Sequence, residues 1–158
     1  MTAPAFQPAR AVADLTDGVI LAAVEIAAPA DRVFRAISSE EIASWWGSPS
    51  TYRVTRWTGD VRPGGWWRSE GVSADGSAFA VGGAVLEVDP PWLLVQTWQY
   101  EHKPSETTTV RFRIESIPGG CRLTIHHEGF TDRTSCDSHS RGWQRVLTWL
   151  ATFAATGS

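Results

Sequence analysis

Near the C-terminus, Trp143, Val146, Leu147, Leu150, Phe153 and Ala154 stand so that the later five follow the first by 3, 4, 7, 10 and 11 residues. That spacing gathers side chains on one stripe of an α-helix. It predicts a C-terminal helix of about five turns, entered from a polar loop over residues 131–135. A helix with one apolar face must cover a surface with it, and the only surface that the rest of this chain offers is a sheet.

The sheet is announced by turn chemistry. Between Thr51 and Glu128, strand-like runs are separated at Arg62-Pro-Gly-Gly65, Asp75-Gly76, Asp89-Pro-Pro91, Lys103-Pro104 and Pro118-Gly-Gly120, which predicts an antiparallel meander of six strands. Alternation is cleanest at its end, where Val110, Phe112 and Ile114 oppose Arg111, Arg113 and Glu115, and Cys121, Leu123 and Ile125 oppose Arg122 and Thr124. One face is therefore buried and the other wet. Ahead of the meander, the β-branched run Val19–Ile26 reads as a strand that Pro29 ends. Asp31–Ile37 follows as a short helix, and Ser38-x-x-Glu41 reads as a capping box that opens a second, carrying Ile42, Trp45 and Trp46 to Gly47. The expected architecture is α+β, a curved antiparallel sheet of about seven strands wrapped on the long C-terminal helix, with two short helices after the first strand. Residues 18–158 form one domain in this reading. Residues 1–17, rich in Ala and Pro and without periodicity, read as a mobile tail or a surface-draped arm.

Composition narrows the function classes. A chain of 158 residues, 42% hydrophobic, can bury roughly 70% of its unfolded surface as a single domain. Its net charge of −3, with no basic run, lacks the footprint that nucleic acid or an anionic membrane requires. The N-terminus shows no apolar core of signal-peptide length and no run of apolar residues is long enough to cross a bilayer, so a cytoplasmic protein is expected. Cys121 and Cys136 lack metal-type spacing and read as free thiols; a site drawn from Cys121, Cys136, His139 and Glu128 has no tight ligand pair, so neither metal nor cofactor is expected. There is no Gly-x-Ser-x-Gly string, and no glycine loop leads into a helix to hold phosphate.

Several strings, taken in order, resemble the START-like superfamily, also called SRPBCC or birch-pollen-allergen-like, whose fold is the helix grip. They are Ala28-Pro-Ala-Asp-Arg-Val-Phe-Arg-Ala36, Trp45-Trp46, Asp60-Val-Arg-Pro-Gly-Gly65 with Trp67-Arg68, Gly83-Ala-Val-Leu-Glu-Val-Asp-Pro-Pro91, Leu94-Val-Gln-Thr-Trp98, Leu123-Thr-Ile-His-His-Glu-Gly-Phe130, and His139-x-x-Gly142-Trp143. Within that superfamily the chain is similar to the family named for the activator of the heat-shock-protein-90 ATPase. The resemblance spans residues 18–154 and implies a cavity between the long helix and the sheet. Members of the superfamily hold lipids, sterols or polyketides there, and some catalyse cyclisation or dehydration. It also implies a possible chaperone partner, since the family's name comes from a co-chaperone that carries such a domain.

Nine tryptophans are too many for plain core filling in a domain of this size, because each indole N–H needs a partner when buried. They imply either an aromatic-lined cavity or an aromatic face shown to a partner. Trp98 and Tyr100 alternate with Leu94, and Trp45, Trp46, Trp67, Phe112 and Trp143 lie on elements that should ring the same cavity. Trp57, Trp66, Trp92 and Trp149 read as surface or edge positions, with Trp149 a candidate face for a homodimer. His127 continues the inward register of Cys121, Leu123 and Ile125, and is a ligand contact, a satisfied core residue or a catalytic base; His126 points the other way. His139, four residues before Trp143, either reaches the cavity mouth or is solvated in the first turn. Gly142, costly within a helix, suggests close approach of another element or a ligand. Glu87 is either an inward carboxylate and candidate acid or base beside His127, or solvated with Leu86 and Val88 in the core.

Three functions compete. The first is binding of a hydrophobic or aromatic, lipid- or polyketide-like small molecule in a cavity of several hundred Å³, contacted by Trp45, Trp98, Tyr100, His127 and Trp143. The second is a cyclase, dehydratase or hydrolase using His127, with Glu87, in that cavity. The third is a co-chaperone-like interaction domain with exposed aromatics.

Overall fold

The computed structural model describes residues 5–156. In chain order these form β1 (Arg10–Asp14), β2 (Val19–Ile26), α1 (Ala30–Ile37), α2 (Ile42–Trp45), β3 (Tyr52–Asp60), β4 (Trp66–Ser73), β5 (Ala78–Asp89), β6 (Leu93–Tyr100), β7 (Thr108–Ile117), β8 (Gly120–Glu128) and α3 (Arg133–Thr156). All strands join one antiparallel sheet in the order β1-β2-β8-β7-β6-β5-β4-β3. The six-stranded meander is present, with each turn where the turn residues place it.

The sheet has eight strands rather than about seven, because β1 forms inside the segment that reads as an arm. Its pattern is Ala11 and Ala13 inward with Arg10, Val12 and Asp14 outward, and alanine is too weak an apolar signal to show that alternation in sequence. Asp14 turns the chain into β2 by accepting the N–H groups of Thr16 and Asp17 at 3.0 Å each, while Gly18 N–H reaches the Asp14 carbonyl. Residues 1–4 of the expected arm lie outside the described residues.

The helices also depart from expectation. The capping box does not form: Ser38 Oγ donates back to the Phe34 carbonyl, and Glu41 is drawn instead to Arg32 and Arg35, at 2.6 Å from each. Charge-assisted bonds are roughly twice as strong as neutral ones, so the two guanidiniums outcompete a cap. The second helix is accordingly a single turn, Ile42–Trp45. At the other end α3 begins at Arg133, within the expected loop, because Asp132 Oδ1 accepts the Thr134 N–H at 3.0 Å and caps it. It runs for 24 residues, longer than five turns.

The apolar stripe of α3, with Trp143, Val146, Leu147, Leu150 and Ala154 buried, faces the concave side of the sheet. Helix and sheet are joined there by a chain of hydrogen bonds whose directions are all determined. Trp143 Nε1 can only donate, and does so to His127 Nδ1 at 2.9 Å. The His127 proton is therefore on Nε2, which donates to Thr108 Oγ1 at 2.7 Å, and that hydroxyl donates to the Trp98 carbonyl at 3.3 Å. Four elements, α3, β8, β7 and β6, are tied in sequence.

His127 is fully buried, and burial drives its pKa down to about 2, with His139 and His126 pushing the same way. The unfolded chain then takes up a proton near pH 6.5 that the folded chain refuses, so stability is complete above that pH and falls below it by up to about 1.4 kcal/mol per pH unit. The urea midpoint should drop steeply between pH 7 and pH 5, and much less in His127→Gln, whose amide offers a donor and an acceptor without titrating. Equal slopes in the two proteins would show that another group controls acid stability.

Candidate functional site

The two halves of the sheet meet α3 differently. On β1 and β2 the contact is made by Ala11, Ala13, Ala22 and Val24, small side chains that let the helix lie close. Over β3 to β6 the wall is built from large rings, and a cavity of about 160 Å³ is left between sheet and helix. It is lined by Trp67 and Ser69 from β4, Gln96, Trp98 and Tyr100 from β6, Phe112 from β7, Trp46 just beyond α2, and His139, Gly142 and Trp143 from α3; Tyr52, Phe79 and Arg145 border it as well.

Trp98 is the centre of the aromatic wall. Its ring lies 4.8 Å from Trp67 and 5.8 Å from both Trp46 and Trp143, tilted by 47°, 32° and 59° respectively. At these separations the rings are in direct tilted contact and form one continuous aromatic wall beside the cavity. The other N–H groups of the wall are spoken for: Trp67 donates to the Thr97 carbonyl at 2.9 Å and Trp46 to the Tyr52 hydroxyl at 3.1 Å. Trp98 Nε1–H is buried without a hydrogen-bond partner. The Tyr100 hydroxyl feels it electrostatically yet stands outside bonding geometry, and burial, the larger effect, pushes the Tyr100 pKa up to about 12.

His139 lines the cavity, half-buried, with its ring centroid 5.7 Å from that of Tyr100. Its Nδ1 lies 2.8 Å from the Ser135 carbonyl, which can only accept, so in the neutral ring Nε2 carries the lone pair. Burial lowers its pKa, against the pull of the Ser135 carbonyl, and the ring is neutral at physiological pH. Tyr52 is raised by burial, offset in part by the Trp46 N–H and by Arg145, whose guanidinium stands over the Tyr52 and Trp149 rings at 5.9 and 5.7 Å.

Of the residues singled out by sequence, Trp46, Trp67, Trp98, Tyr100, Phe112, His139 and Trp143 come together around this space. Trp45 does not: it lies in the core behind Trp46, 5.1 Å away, with its N–H on the Ala36 carbonyl at 2.9 Å. His127 lies behind Trp98 and Trp143 with both nitrogens engaged, so it is a satisfied core histidine with no lone pair for a ligand or a proton. Glu87 is not an inward acid. A bulge between Val85 and Glu87 keeps Val85 in the core and turns Glu87 to the wet face, 3.6 Å from Arg111. Trp149 is half-buried, edge-on to Tyr52 at 5.9 Å, rather than a free face. Gly142 makes no close approach to another element; a Cβ there would meet nothing within 4 Å, because the space beside it is the cavity.

Sequence reasoning missed Ser69, Gln96, Tyr52, Phe79 and Arg145. Gln96 and Ser69 were within reach of it, since each stands two residues from a named tryptophan on the same strand face; Tyr52, Phe79 and Arg145 enter through the curl of the sheet, for which no local spacing exists. Among the described residues no group of three or more His, Cys, Asp and Glu is placed to hold a metal. Cys121 and Cys136 are buried free thiols, and no described helix is long and apolar enough to cross a membrane.

Comparison with solved structures places the fold. Protein CV1439 from Chromobacterium violaceum superposes with a TM-score of 0.76 at 23% identity, over 89% of this chain and 99% of that one. Ms6760 from Mycobacterium smegmatis gives 0.77 at 18% identity, over 98% and 99%, and CalU16 from Micromonospora echinospora 0.66 at 23%, over 97% and 88%. A search of curated proteins finds no match. The family model described as activator of Hsp90 ATPase homolog 1-like protein matches residues 27–155, which hold both short helices, strands β3 to β8 and nearly all of α3, and the chain belongs to that family.

Proposed function

We propose that the protein binds a small, flat, mainly apolar molecule in the cavity between α3 and β3–β6. The observation that carries this reading is the void of about 160 Å³ walled by four tryptophans, with Trp98 packed against the other three so that they form one continuous aromatic surface. A dry cavity of about 150 Å³ accepts one benzene-sized solute. The space is thus suited to a single ring or a short branched chain, smaller than the several hundred Å³ expected, and a sterol or multi-ring polyketide would need the helix to move.

A catalytic version of the same reading rests on His139 rather than His127, since His139 presents a neutral ring with an unengaged Nε2 to the cavity beside Tyr100. A general base has to be within hydrogen-bond reach of the proton it removes, and His139 is the histidine that lines the space. The co-chaperone reading has less behind it: of nine tryptophans only Trp66 and Trp92 are exposed, at 50% and 43%, and the remainder serve the core, the cavity or its edge.

Titration of single-ring compounds such as isopropylbenzene and benzamide into the protein, followed by tryptophan fluorescence and calorimetry, should give a saturable response from Trp98 and its neighbours. Gly142→Leu, which sends a side chain into the cavity from a position with open space, should abolish the response while the protein stays folded, with roughly 1 kcal/mol gained in helix propensity. A wild-type protein that saturates with none of the compounds would remove the binding reading and its catalytic version together.

A further inference from the structure

Besides the Trp98 N–H and the Tyr100 hydroxyl, two buried polar side chains of the cavity wall, Gln96 and Ser69, are without a protein partner among the described residues. Gln96 on β6 is 7% exposed and Ser69 on β4 is 4% exposed, and neither makes a side-chain hydrogen bond among the described residues. They are also absent from the sealed orphans, which are Arg32 Nε and Trp98 Nε1. The Gln96 amide and the Ser69 hydroxyl therefore keep their residual surface inside the cavity they line. An unpaired buried amide costs about 1–3 kcal/mol, which a leucine at the same place would not incur.

The strand geometry separates the two. Gln96, Trp98 and Tyr100 follow one another on the inward face of β6, and at about 3.3 Å per residue Gln96 and Tyr100 are roughly 13 Å apart with Trp98 midway. Ser69 pairs with Val81, which pairs with Tyr100, so Ser69 belongs to the Tyr100 end. Gln96 stands alone at the other end, flanked by Phe112, one position beyond its own partner Val110 on the same face of β7. Charge chooses among the groups that Gln96 can meet. Arg145, the cation on the cavity wall, is exposed and stacked over Tyr52 and Trp149; among the described residues no carboxylate lines the wall. An ion at the Gln96 end would be desolvated without a counter-charge.

We infer that the ligand is a neutral single-ring aryl carboxamide, its ring among Trp46, Trp67, Trp98 and Trp143 and its amide paired with that of Gln96. A primary carboxamide offers one acceptor and donors in one plane, the complement of the Gln96 side chain, and satisfies both halves of it. Gln96 is then the residue that sets specificity. This rests on the binding reading above and adds the chemical class of ligand to it.

The test compares benzamide with isopropylbenzene, which matches its shape without its polar atoms, on wild type and on Gln96→Leu. The ratio of the two affinities cancels the difference in their hydration, and the substitution should shift that ratio by roughly tenfold towards the hydrocarbon, with no loss of thermal stability. In wild type the side-chain amide resonances of Gln96 should move with benzamide and not with isopropylbenzene, a readout independent of whether the variant folds. A ratio unchanged within about twofold, or amide resonances that respond alike to both compounds, overturns the inference and leaves the binding reading intact. Binding of isopropylbenzene without benzamide does the same, whereas binding of neither overturns both.

Discussion

The hydrogen-bonded chain from Trp143 through His127 and Thr108 to the Trp98 carbonyl is the constraint on which the rest of the structure depends. Apolar packing alone fixes the depth of a helix on a sheet better than its rotation, since a stripe of similar side chains fits at neighbouring angles. The Trp143 N–H to His127 bond of 2.9 Å permits one angle. With the helix so turned, Val146, Leu147, Leu150 and Ala154 enter the core while His139, Gly142 and Arg145 come to border the cavity. A histidine that sequence suggests as a catalyst thus acts by orientation: it decides which face of α3 the cavity receives.

The cavity itself follows from a contrast in side-chain size between the two halves of one sheet. Alanines on β1 and β2 let the helix settle, with Ala11 and Ala13 half-buried on β1 and Ile20 and Val24 on β2 exposed by no more than 2%. On β4 and β6 the inward positions alternate Trp67 with Ser69 and Gln96 with Trp98, one bulky ring beside one short or polar group. The rings hold the helix off the strands and the small neighbours fail to fill the gap. Gly71 belongs to the same scheme, because a Cβ there would collide with the Phe79 ring and the Arg53 carbonyl, so the strand can bring Phe79 to the cavity only without a side chain at that point. The void is a consequence of which residues alternate, and needs no special backbone.

Sequence made the order of elements legible because turns and a helical stripe are local signals, readable within a dozen residues. Trp98, Tyr100 and Trp143 were legible as cavity residues for the same reason, each lying on a face that its own element defines. What failed depended on partners distant in sequence. His127 has the expected inward register, yet its role is set by Thr108, nineteen residues earlier, and by Trp143 on another element. Glu87 was ambiguous because the bulge that turns it outward is a property of the β5–β6 pair and not of the string around it. The Ser38–Glu41 box met its motif and lost to two arginines six and nine residues upstream of Glu41. β1 was hidden because its inward residues, Ala11 and Ala13, take their face from pairing with Ala22 and Ile20 of β2 and are too weakly apolar to show it in sequence.

The same chain of bonds couples the cavity to the stability of the fold. Protonating His127 would place a second N–H where Nδ1 now accepts from Trp143, setting donor against donor at a fully buried position. The ring can relieve this only by releasing Trp143, and Trp143 is at once a core residue of α3 and a wall of the cavity, 5.8 Å from Trp98 and from Trp46. No local adjustment separates those duties, because one indole performs both. Acid strong enough to protonate His127 therefore does not leave the scaffold in place; the Trp143 wall and the fold are lost in one transition, and a ligand that holds Trp98 and Trp143 in position raises the resistance of the whole domain to acid by RT ln(1 + c/Kd) at free ligand concentration c.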